Sequence, residues 1–474
     1  MAYDLLRAVA ERDAYANLTL PGLLRERRLT GRDAAFATEL GYGTLRAQGS
    51  LDAVLARCAD RPLPAVDGAV LDVLRLGAYQ LLRTRVPPHA AVSATVDLAP
   101  RRAAGFVNAV LRRVARQDWD RWVAAVAPAY QADPVGHLAL RYAHPAWVVA
   151  AFADAVGGDL DETARALAAD DARPELHLVA RPGLVDRDVL AAAASGEPGP
   201  WSPYAVRLPA GGDPAAIAAV ADGRAAVQDE GSQLCALAAA AAPLAAAAGG
   251  ASTPGRDARW LDLCAGPGGK SALLGALAAP RGAHLVAVER QPARARLVAA
   301  ATAGLPVTVL HADGTVPGWR EAAFDRVLVD APCTGLGALR RRPEARWRRQ
   351  PSDLPALTRL QRGLLDSAVA AVRPGGLVAY VVCSPHLAET RAVVAETLRR
   401  SGAAVEQLDA RPYFPGVPDL GDGPHVQLWP HRHGTDAMFC ALLRRRRASE
   451  HRNACFAPAA PGQARSGASQ GAEP

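Results

Sequence analysis

Residues 261–270 read LDLCAGPGGK, an apolar run that leads into a glycine-rich turn and then into a helical pattern. A strand, a tight turn and a helix in this order are typical of the first unit of a doubly wound α/β domain. The small residues of the turn let the main chain approach a ligand closely. The turn does not match G-x-G-x-x-G, the dinucleotide-binding fingerprint. The segment therefore predicts an α/β domain that binds another kind of ligand at this turn.

The turn ends on Lys270, the only lysine among the 54 lysine and arginine residues of the chain. Isoleucine is equally rare, with Ile217 as its single instance, so the composition is that of a GC-rich coding sequence. Under such a bias a lysine should persist where arginine cannot replace it, because a compact ammonium fits a site that is too tight for a planar guanidinium. Chance survival of one lysine is the alternative, and the position in the turn favours a function.

After this turn, apolar segments alternate with helical patterns. Strands are predicted at residues 260–263, 284–288, 307–310, 326–329 and 377–382, and helices at 271–277, 292–302, 354–372 and 388–400. Near-continuous apolar strands joined by helices predict a doubly wound, parallel, Rossmann-like sheet.

A chain of 474 residues is too long for one ordinary core, so several domains are expected. Apolar residues at helical spacing predict an all-helical domain at residues 1–130, without a cluster of catalytic side chains. A small α/β linker subdomain at 131–225, a catalytic domain at 226–445 and a disordered tail at 446–474 complete the predicted order.

The seven cysteines are scattered, odd in number and without C-x-x-C spacing, which argues against disulfides and against a zinc site. We therefore expect no metal. The first residues lack the apolar segment of a signal peptide, and no stretch predicts a membrane span. These features indicate a cytoplasmic protein.

The net charge of +7 is concentrated in one region. Eight arginines fall between residues 334 and 362: Arg340, Arg341, Arg342, Arg346, Arg348, Arg349, Arg359 and Arg362. Clustered arginines suit contacts with nucleic-acid phosphates, and a solvated helix face is the alternative.

Acidic residues follow the second and third predicted strands. Glu289 comes directly after the second strand, where a carboxylate can accept hydrogen bonds from two ribose hydroxyls. Asp313 follows the third strand and could accept a hydrogen bond from an adenine amino group. Ligands of such sheets bind outside the carboxyl ends of the strands. Together the acids predict an adenosine ligand without a pyrophosphate, and S-adenosylmethionine is the cofactor we expect.

Two thiols follow the fourth and fifth predicted strands. Cys333 lies three residues after Asp330, and Cys383 follows the last strand directly. A buried structural cysteine is the usual interpretation of one thiol, but two at adjacent strand ends favour a joint function. Methylation of carbon 5 of a pyrimidine needs such groups, because a thiolate that adds to carbon 6 makes carbon 5 nucleophilic. Asp330 would act as the acid close to the base edge.

Three segments carry a resemblance to a known family: LDLCAGPGGK at 261–270, VLVDAPCTGLG at 327–337 and VVCSP at 381–385. In this order and spacing they resemble the bacterial RNA cytosine-C5 methyltransferases of the Sun/Fmu (RsmB) family. The segments QDEGSQ at 228–233 and HGTDAMF at 433–439 also look like parts of that family. The N-terminal helical region is similar to its NusB-like RNA-binding domain, so the resemblance covers roughly residues 1–445.

The resemblance implies roles for single residues. In the RNA family the thiol after the fifth strand is the nucleophile, so Cys383 would attack the base and Cys333 would help to release the product. Asp330 and Lys270 complete the catalytic set, with Lys270 ordering the site or contacting the substrate. The implied cofactor contacts are Cys264, Ala265, Gly266, Pro267, Gly268, Gly269, Lys270, Glu289, Asp313 and Asp330.

Two positions depart from the family pattern. Val382 stands where the family commonly has threonine, and Thr390 stands where asparagine often follows the glutamate, here Glu389. Neither departure removes a catalytic group. Both concern the hydrogen bonds that orient Cys383.

The substrate implied by the resemblance is one cytosine of 16S ribosomal RNA, methylated by a monomeric enzyme before small-subunit assembly buries the base. DNA is not an expected partner, and the base must be flipped out or already unstacked. Three alternatives stay open: a transfer-RNA cytosine-C5 methyltransferase with the same site, a non-catalytic NusB-like RNA-binding or antitermination factor, and a small-molecule methyltransferase. The complete set of thiols, Asp330 and Lys270 argues against the second, and the thiols and the arginines argue against the third.

Overall fold

A computed structural model describes residues 1–209, 212–245, 257–316 and 318–447. Nearly all of the predicted tail, residues 448–474, therefore lies outside the described residues. Among the helices that the structure describes, none is long and apolar enough to cross a bilayer.

The N-terminal part of the chain is all-helical, and its helices continue to Asp171, past the predicted boundary at residue 130. Its helices are α1 (Ala2–Arg12), α2 (Ala16–Glu26), α3 (Gly31–Cys58), α4 (Gly68–Arg83), α5 (Pro88–Val96), α6 (Ala104–Val114), α7 (Trp119–Val126), α8 (Pro134–Arg141), α9 (Ala146–Ala155) and α10 (Leu160–Asp171). Helix α4 begins where the Asp67 carboxylate accepts a hydrogen bond from the Ala69 amide at 3.0 Å, which satisfies an N–H that has no partner within the helix. Its apolar residues Val73 and Leu74 are fully buried in the helical core beside Leu51 of α3.

A small sheet with two short helices follows. Its elements are β1 (Leu176–Ala180), α11 (Arg187–Ala194), β2 (Glu197–Pro198), β3 (Ala205–Leu208), α12 (Ala218–Ala221) and β4 (Ala225–Val227). The strands pair antiparallel in the order β2-β3-β1-β4. The α/β linker subdomain was predicted at residues 131–225, and its strands occupy only the part from Leu176 onward.

The third part is built on a large sheet with helices on both faces. Its elements are α13 (Glu230–Ala241), β5 (Arg259–Asp262), α14 (Gly269–Ala278), β6 (His284–Glu289), α15 (Pro292–Ala301), β7 (Val307–His311), β8 (Phe324–Asp330), α16 (Ala345–Arg348), α17 (Leu354–Ala371), β9 (Val372–Val382), α18 (Arg391–Ser401), β10 (Val405–Leu408), β11 (Val426–Gln427), α19 (Pro430–His433) and β12 (Phe439–Arg445). All five predicted strands and all four predicted helices of this domain are present, with boundaries that differ by a few residues.

Apolar side chains alternate between the two faces of this sheet. Trp260 and Leu328 lie in the core on one face, and Leu261 and Val327 lie in the core on the other. Both faces are therefore covered, which explains why these strands are apolar throughout rather than alternating with polar residues.

The five predicted strands are parallel to one another, and the sheet becomes mixed where strands that were not predicted join one edge. The strand order is β10-β12-β9-β8-β5-β6-β7, with β11 paired to β12. Strands β9, β8, β5, β6 and β7 are parallel, whereas β12 runs antiparallel to β9 and β10. The chain returns from β11 to β12 through the single turn of α19, and so short a connection can only join antiparallel strands.

The strand order also locates a crevice. Strand β5 lies between β6 and β8, so the chain leaves β5 in one direction and later returns on its other side. The loops after β5 and β8 separate at this switch point, and ligands of open α/β sheets bind in the crevice between such loops.

Much of the arginine cluster points into the protein, which corrects the expectation that it grips RNA as a whole. Arg346 is fully buried between the domains, where its guanidinium donates to Asp170 Oδ2 at 3.1 Å and to the Ala143 carbonyl at 2.8 Å. Arg348 donates to the Val9 carbonyl of α1 at 2.8 Å. These arginines fix the catalytic domain to the helical domain.

Arg340 and Arg341 are engaged in the same way within the catalytic domain. Both donate to Asp436 Oδ1 at 2.9 Å, and Arg341 also donates to Asp229 at 2.8 Å. Arg342, by contrast, is exposed, and no ion pair holds it within the described part of the chain. The part of the cluster that is open to solvent therefore begins at Arg342 and includes Arg359.

Arg346→Ala should lower the free energy of unfolding by about 3 kcal/mol, because it leaves the Asp170 carboxylate buried without its cationic partner. Arg359→Ala, at an exposed position, should change it by less than about 0.5 kcal/mol. Urea unfolding followed by circular dichroism compares the two variants with the wild type. Equal stabilities of Arg346→Ala and Arg359→Ala would contradict the structural role of Arg346.

Candidate active site

The loops after β5, β8 and β9 meet at the carboxyl edge of the sheet because these strands are parallel neighbours. Lys270, in the first turn of α14, donates from Nζ to Asp330 Oδ2 at 2.8 Å. The lysine side chain is only 10% exposed. Burial opposes its charge, but the Asp330 carboxylate outweighs burial and raises the pKa of Lys270, which stays an ammonium.

The glycines of the turn after β5 are required by close contacts. The Gly266 amide donates to Glu289 Oε2 at 3.1 Å, and a Cβ at Gly266 would come within 2.3 Å of the same oxygen. Gly268 has φ +114°, a conformation that other residues rarely adopt, and a Cβ there would lie 2.7 Å from Ala301 Cβ. The turn is therefore shaped so that its main chain, rather than side chains, lines the crevice.

The predicted acids lie at the expected strand ends. Glu289 closes β6 and is buried, with Oε1 accepting from the Gln291 amide at 2.8 Å. Asp313 accepts through Oδ1 from the amide and hydroxyl of Thr315, which lower its pKa, and its other oxygen makes no hydrogen bond in the described residues. The next residue, Gly314, packs against the Leu263 carbonyl, where a Cβ would approach to 2.8 Å. Both acids thus border the turn after β5.

The two thiols are brought together. Cys333 Sγ lies 3.5 Å from Cys383 Sγ, and both side chains are partly buried. The pKa of Cys383 is lowered, first by the hydrogen bond from Cys333 and then by the positive charges of Arg342 and Lys270. The same hydrogen bond, together with burial, raises the pKa of Cys333. The pair therefore favours a Cys383 thiolate beside a Cys333 thiol.

Two buried acids of the site were not identified from the sequence. Asp262, the last residue of β5, is buried and accepts from Ser271 Oγ at 2.6 Å. Burial raises its pKa to about 7. Glu389 is also fully buried and lies beneath both thiol-bearing loops. Asp262 could have been identified because it is an acidic residue within an apolar strand. Glu389 has no such feature in the sequence and was noted only as part of the family pattern.

Asp262→Asn should remove a pH dependence of stability. The folded-state pKa of Asp262 lies above its unfolded value of 3.8, so its contribution is complete below about pH 4 and is lost as the pH rises through about 7. Between pH 4 and pH 8 the wild type should therefore lose up to about 4 kcal/mol relative to Asp262→Asn. Urea unfolding of both proteins at pH 5 and pH 8 measures this difference, and parallel pH profiles would show that Asp262 is ionised throughout.

The two positions that depart from the family pattern, 382 and 390, are both buried. Val382 is fully buried in the core of the sheet. Thr390 is buried, and its hydroxyl donates to the His386 carbonyl at 2.9 Å. Within the described residues no group of three histidine, cysteine or acidic side chains is arranged to hold a metal ion.

Comparison with known proteins agrees with this architecture. Residues 251–444 match the family described as 16S rRNA methyltransferase RsmB/F, and residues 1–116 match the NusB family. A Mycobacterium tuberculosis protein named as a methyltransferase is 58% identical over 449 residues, which cover 94% of this chain and 95% of that protein. Ribosomal RNA small subunit methyltransferase B of Salmonella paratyphi B is 31% identical over 439 residues, which cover 89% and 95%.

The fold has a solved counterpart. The crystal structure of the protein PH0851 matches with a TM-score of 0.72 at 20% identity, covering 89% of this chain and 93% of that one. The resemblance found in the sequence is confirmed by these relatives. The chain belongs to the RsmB/F family of RNA methyltransferases, with a NusB domain ahead of an S-adenosylmethionine-dependent methyltransferase fold whose central sheet is mixed.

Proposed function

We propose that this protein transfers a methyl group from S-adenosylmethionine to carbon 5 of one cytosine in 16S ribosomal RNA, through a covalent bond between a cysteine and the RNA. The observation that carries the proposal is the pair of thiols 3.5 Å apart, of which Cys383 has the lowered pKa. Methylation of an oxygen or of an exocyclic nitrogen needs no thiol, whereas carbon 5 of cytosine becomes nucleophilic only after a nucleophile adds to carbon 6.

The residues around the crevice fit the cofactor. The turn of small residues Cys264 to Gly269 presents main-chain groups to the amino acid part of the ligand, since a Cβ at Gly266 would collide with Glu289. The carboxylate of Glu289 suits the ribose hydroxyls. Asp313 Oδ2, which lies 3.8 Å from Arg290 Nε, suits the adenine amino group. When bound, S-adenosylmethionine supplies an electrophilic methyl group on a sulfonium.

The first step is addition of the Cys383 thiolate to carbon 6 of the cytosine. Asp330 contacts the base edge near N3 through Oδ1, while its Oδ2 accepts from Lys270 and so fixes the carboxyl. Addition would make carbon 5 enamine-like, with a proton shared with N3 by the Lys270–Asp330 pair. Carbon 5 would then take the methyl group as the bond between that methyl and the sulfonium sulfur breaks, so that a neutral thioether leaves. Lys270 and Arg342 stabilise the negative charge on the sulfur before attack.

Release reverses the addition. A base removes the proton from carbon 5, and the bond between carbon 6 and the Cys383 sulfur breaks so that the thiolate leaves. The Cys333 thiol lies 3.5 Å from this sulfur and keeps its proton because its pKa is raised, so it would donate a hydrogen bond that stabilises the departing charge. This role agrees with the one that the family resemblance implies for the first thiol.

The RNA substrate is proposed from the family and from the names of the relatives, one of which is a ribosomal RNA small subunit methyltransferase. Arg342 and Arg359 are exposed and face solvent, where they can contact phosphates of RNA near the site. The NusB domain also exposes arginines on and near α6, among them Arg102, Arg112 and Arg116. A monomer bound to protein-free 16S RNA, before subunit assembly, gives these surfaces access to the substrate.

The test is methyl transfer from labelled S-adenosylmethionine to protein-free 16S RNA and, separately, to transfer RNA, with the product nucleosides identified. We expect 5-methylcytosine in 16S RNA alone. Label in transfer RNA alone would keep the chemistry and replace the substrate. Label in neither RNA would overturn the proposal and favour a protein that only binds RNA.

A further inference from the structure

A single buried carboxylate connects the two thiol-bearing loops. Glu389, which follows β9 and precedes α18, is fully buried. Its Oε1 accepts from the Thr334 amide at 2.8 Å, and its Oε2 accepts from the Ser384 hydroxyl at 2.7 Å and from the Thr334 hydroxyl. Hydrogen bonds from ordinary donors to a carboxylate are among the stronger ones in proteins.

These donors stand next to the thiols. Thr334 follows Cys333 in the loop after β8, and Ser384 follows Cys383 in the loop after β9. The two hydroxyls are themselves 3.2 Å apart. The pairing of β8 with β9 and the hydrogen bond from the Gly337 amide to the Cys383 carbonyl at 2.9 Å join the two loops through the main chain. Glu389 adds the side-chain link between the residues that follow the two sulfur atoms, which lie 3.5 Å apart.

Neighbouring residues hold Glu389 in place. Gln361 of α17 donates through Nε2 both to Glu389 Oε1 at 3.1 Å and to the Pro332 carbonyl at 2.9 Å. The Tyr380 hydroxyl donates to the Glu389 carbonyl at 2.7 Å. The carboxylate is thus fixed from the helix, from the sheet and from both loops.

We propose that Glu389 is a positioning residue for the two thiols, which sets their spacing and keeps their roles different without touching substrate or cofactor. This inference goes beyond the proposed function, but the expected effect of Glu389 on catalysis rests on the proposed function. Both partners of Oε1, the Thr334 amide and Gln361 Nε2, can only donate, so a glutamine would keep its oxygen there and turn its amide N–H₂ toward the hydroxyls of Thr334 and Ser384. This reverses the hydrogen bonds at both hydroxyls and removes the negative charge. The negative charge of Glu389 also raises the pKa of Cys333, which keeps the proton on that thiol and not on Cys383.

The experiment compares Glu389→Gln with Glu230→Gln. Glu230 is also fully buried and accepts from two main-chain amides, those of Trp201 and Ser202, both at 2.8 Å, and from the Arg207 guanidinium at 3.1 Å. None of these donors belongs to a thiol-bearing loop. Both variants should lose similar thermal stability. Only Glu389→Gln should lose kcat, by about 100-fold, with KM for RNA unchanged, because displaced reacting groups slow the chemical step.

A second readout does not depend on RNA. Iodoacetamide should alkylate Cys383 about tenfold faster than Cys333 in the wild type, and mass spectrometry of the peptides measures the two rates. In Glu389→Gln the rates should become similar, whereas Glu230→Gln should keep the wild-type ratio. This readout tests Glu389 even if the wild type forms no 5-methylcytosine.

The proposal is overturned if Glu389→Gln keeps both the wild-type kcat and the wild-type alkylation ratio, or if Glu230→Gln changes them equally. Should Glu389→Gln fail to fold, Ser384→Ala removes one donor and should shift the alkylation ratio in the same direction. Glu389→Asp, which keeps the charge but shortens the side chain, should restore the slow alkylation of Cys333 in part. An Asp variant that is indistinguishable from Gln would show that the charge has no role.

Discussion

Cys383→Ala abolishes 5-methylcytosine formation, with an expected loss on the order of 10⁴-fold or more, as when other covalent nucleophiles are removed. The reason is that the remaining thiol, Cys333, belongs to the neighbouring loop and its sulfur lies 3.5 Å from the position of the Cys383 sulfur. Burial and the Glu389 carboxylate also continue to raise the pKa of Cys333 when the hydrogen bond with Cys383 is lost. Cys383→Ser is nearly isosteric, but its hydroxyl does not ionise near neutral pH, so it should lose as much. Single-turnover methyl transfer from labelled S-adenosylmethionine measures both variants.

The matched control is Cys58→Ala, which removes a buried cysteine of α3 in the NusB domain. It should keep the wild-type rate at a small cost in stability. Cofactor binding to Cys383→Ala, measured by calorimetry, should also be unchanged because the turn after β5 is untouched. Activity retained in Cys383→Ala would refute the assignment of the nucleophile.

The parts of the fold that follow from local pattern could be predicted from the sequence. Five apolar segments, four of them followed by helical patterns, predicted the parallel strands and their order in the chain, since both faces of the sheet are buried. Because parallel strands end at the same edge, the residues after each strand were expected to meet there. The contact of Lys270 with Asp330 and the contact of Cys333 with Cys383 are the structural consequence.

Partners distant in the chain could not be predicted in this way. The sequence of an arginine cluster does not show whether its side chains face RNA or a buried carboxylate. Arg346 is an example, because its partner Asp170 lies 176 residues away in the chain. Likewise, the direction of β12 follows from its antiparallel pairing with β9. The pattern of residues within 439–445 does not indicate that direction. Glu389 has no sequence signal of its own, because its function lies in four donors from three elements.

The single lysine of the chain has a physical explanation in the structure. Lys270 Nζ reaches Asp330 at 2.8 Å from the first turn of α14, and the side chain is 10% exposed. The one hydrogen bond that the structure gives this side chain goes to a single carboxylate, which a compact ammonium can make with one N–H, whereas a planar guanidinium presents five N–H donors. This difference favours lysine at position 270.

Cys333→Ala is expected to trap the enzyme on its RNA. The variant leaves Cys383 able to add to carbon 6, but the sulfur then has no hydrogen-bond donor when it must leave as a thiolate. Most of the protein incubated with 16S RNA and S-adenosylmethionine should migrate as a covalent complex in a denaturing gel. Multiple-turnover product should fall by about 100-fold, because each molecule stops after one addition.

Identifying the cysteine that is bonded to the RNA distinguishes a trapped intermediate from a variant that is only inactive. Nuclease digestion followed by mass spectrometry should place a nucleotide on the peptide that contains Cys383, and the double variant Cys333→Ala with Cys383→Ala should form no complex. A Cys333→Ala protein that is merely slower, without a covalent complex, would show that Cys333 acts before the addition and not in release. The 3.5 Å contact between the sulfur atoms would then serve only to activate Cys383, by lowering its pKa through the hydrogen bond.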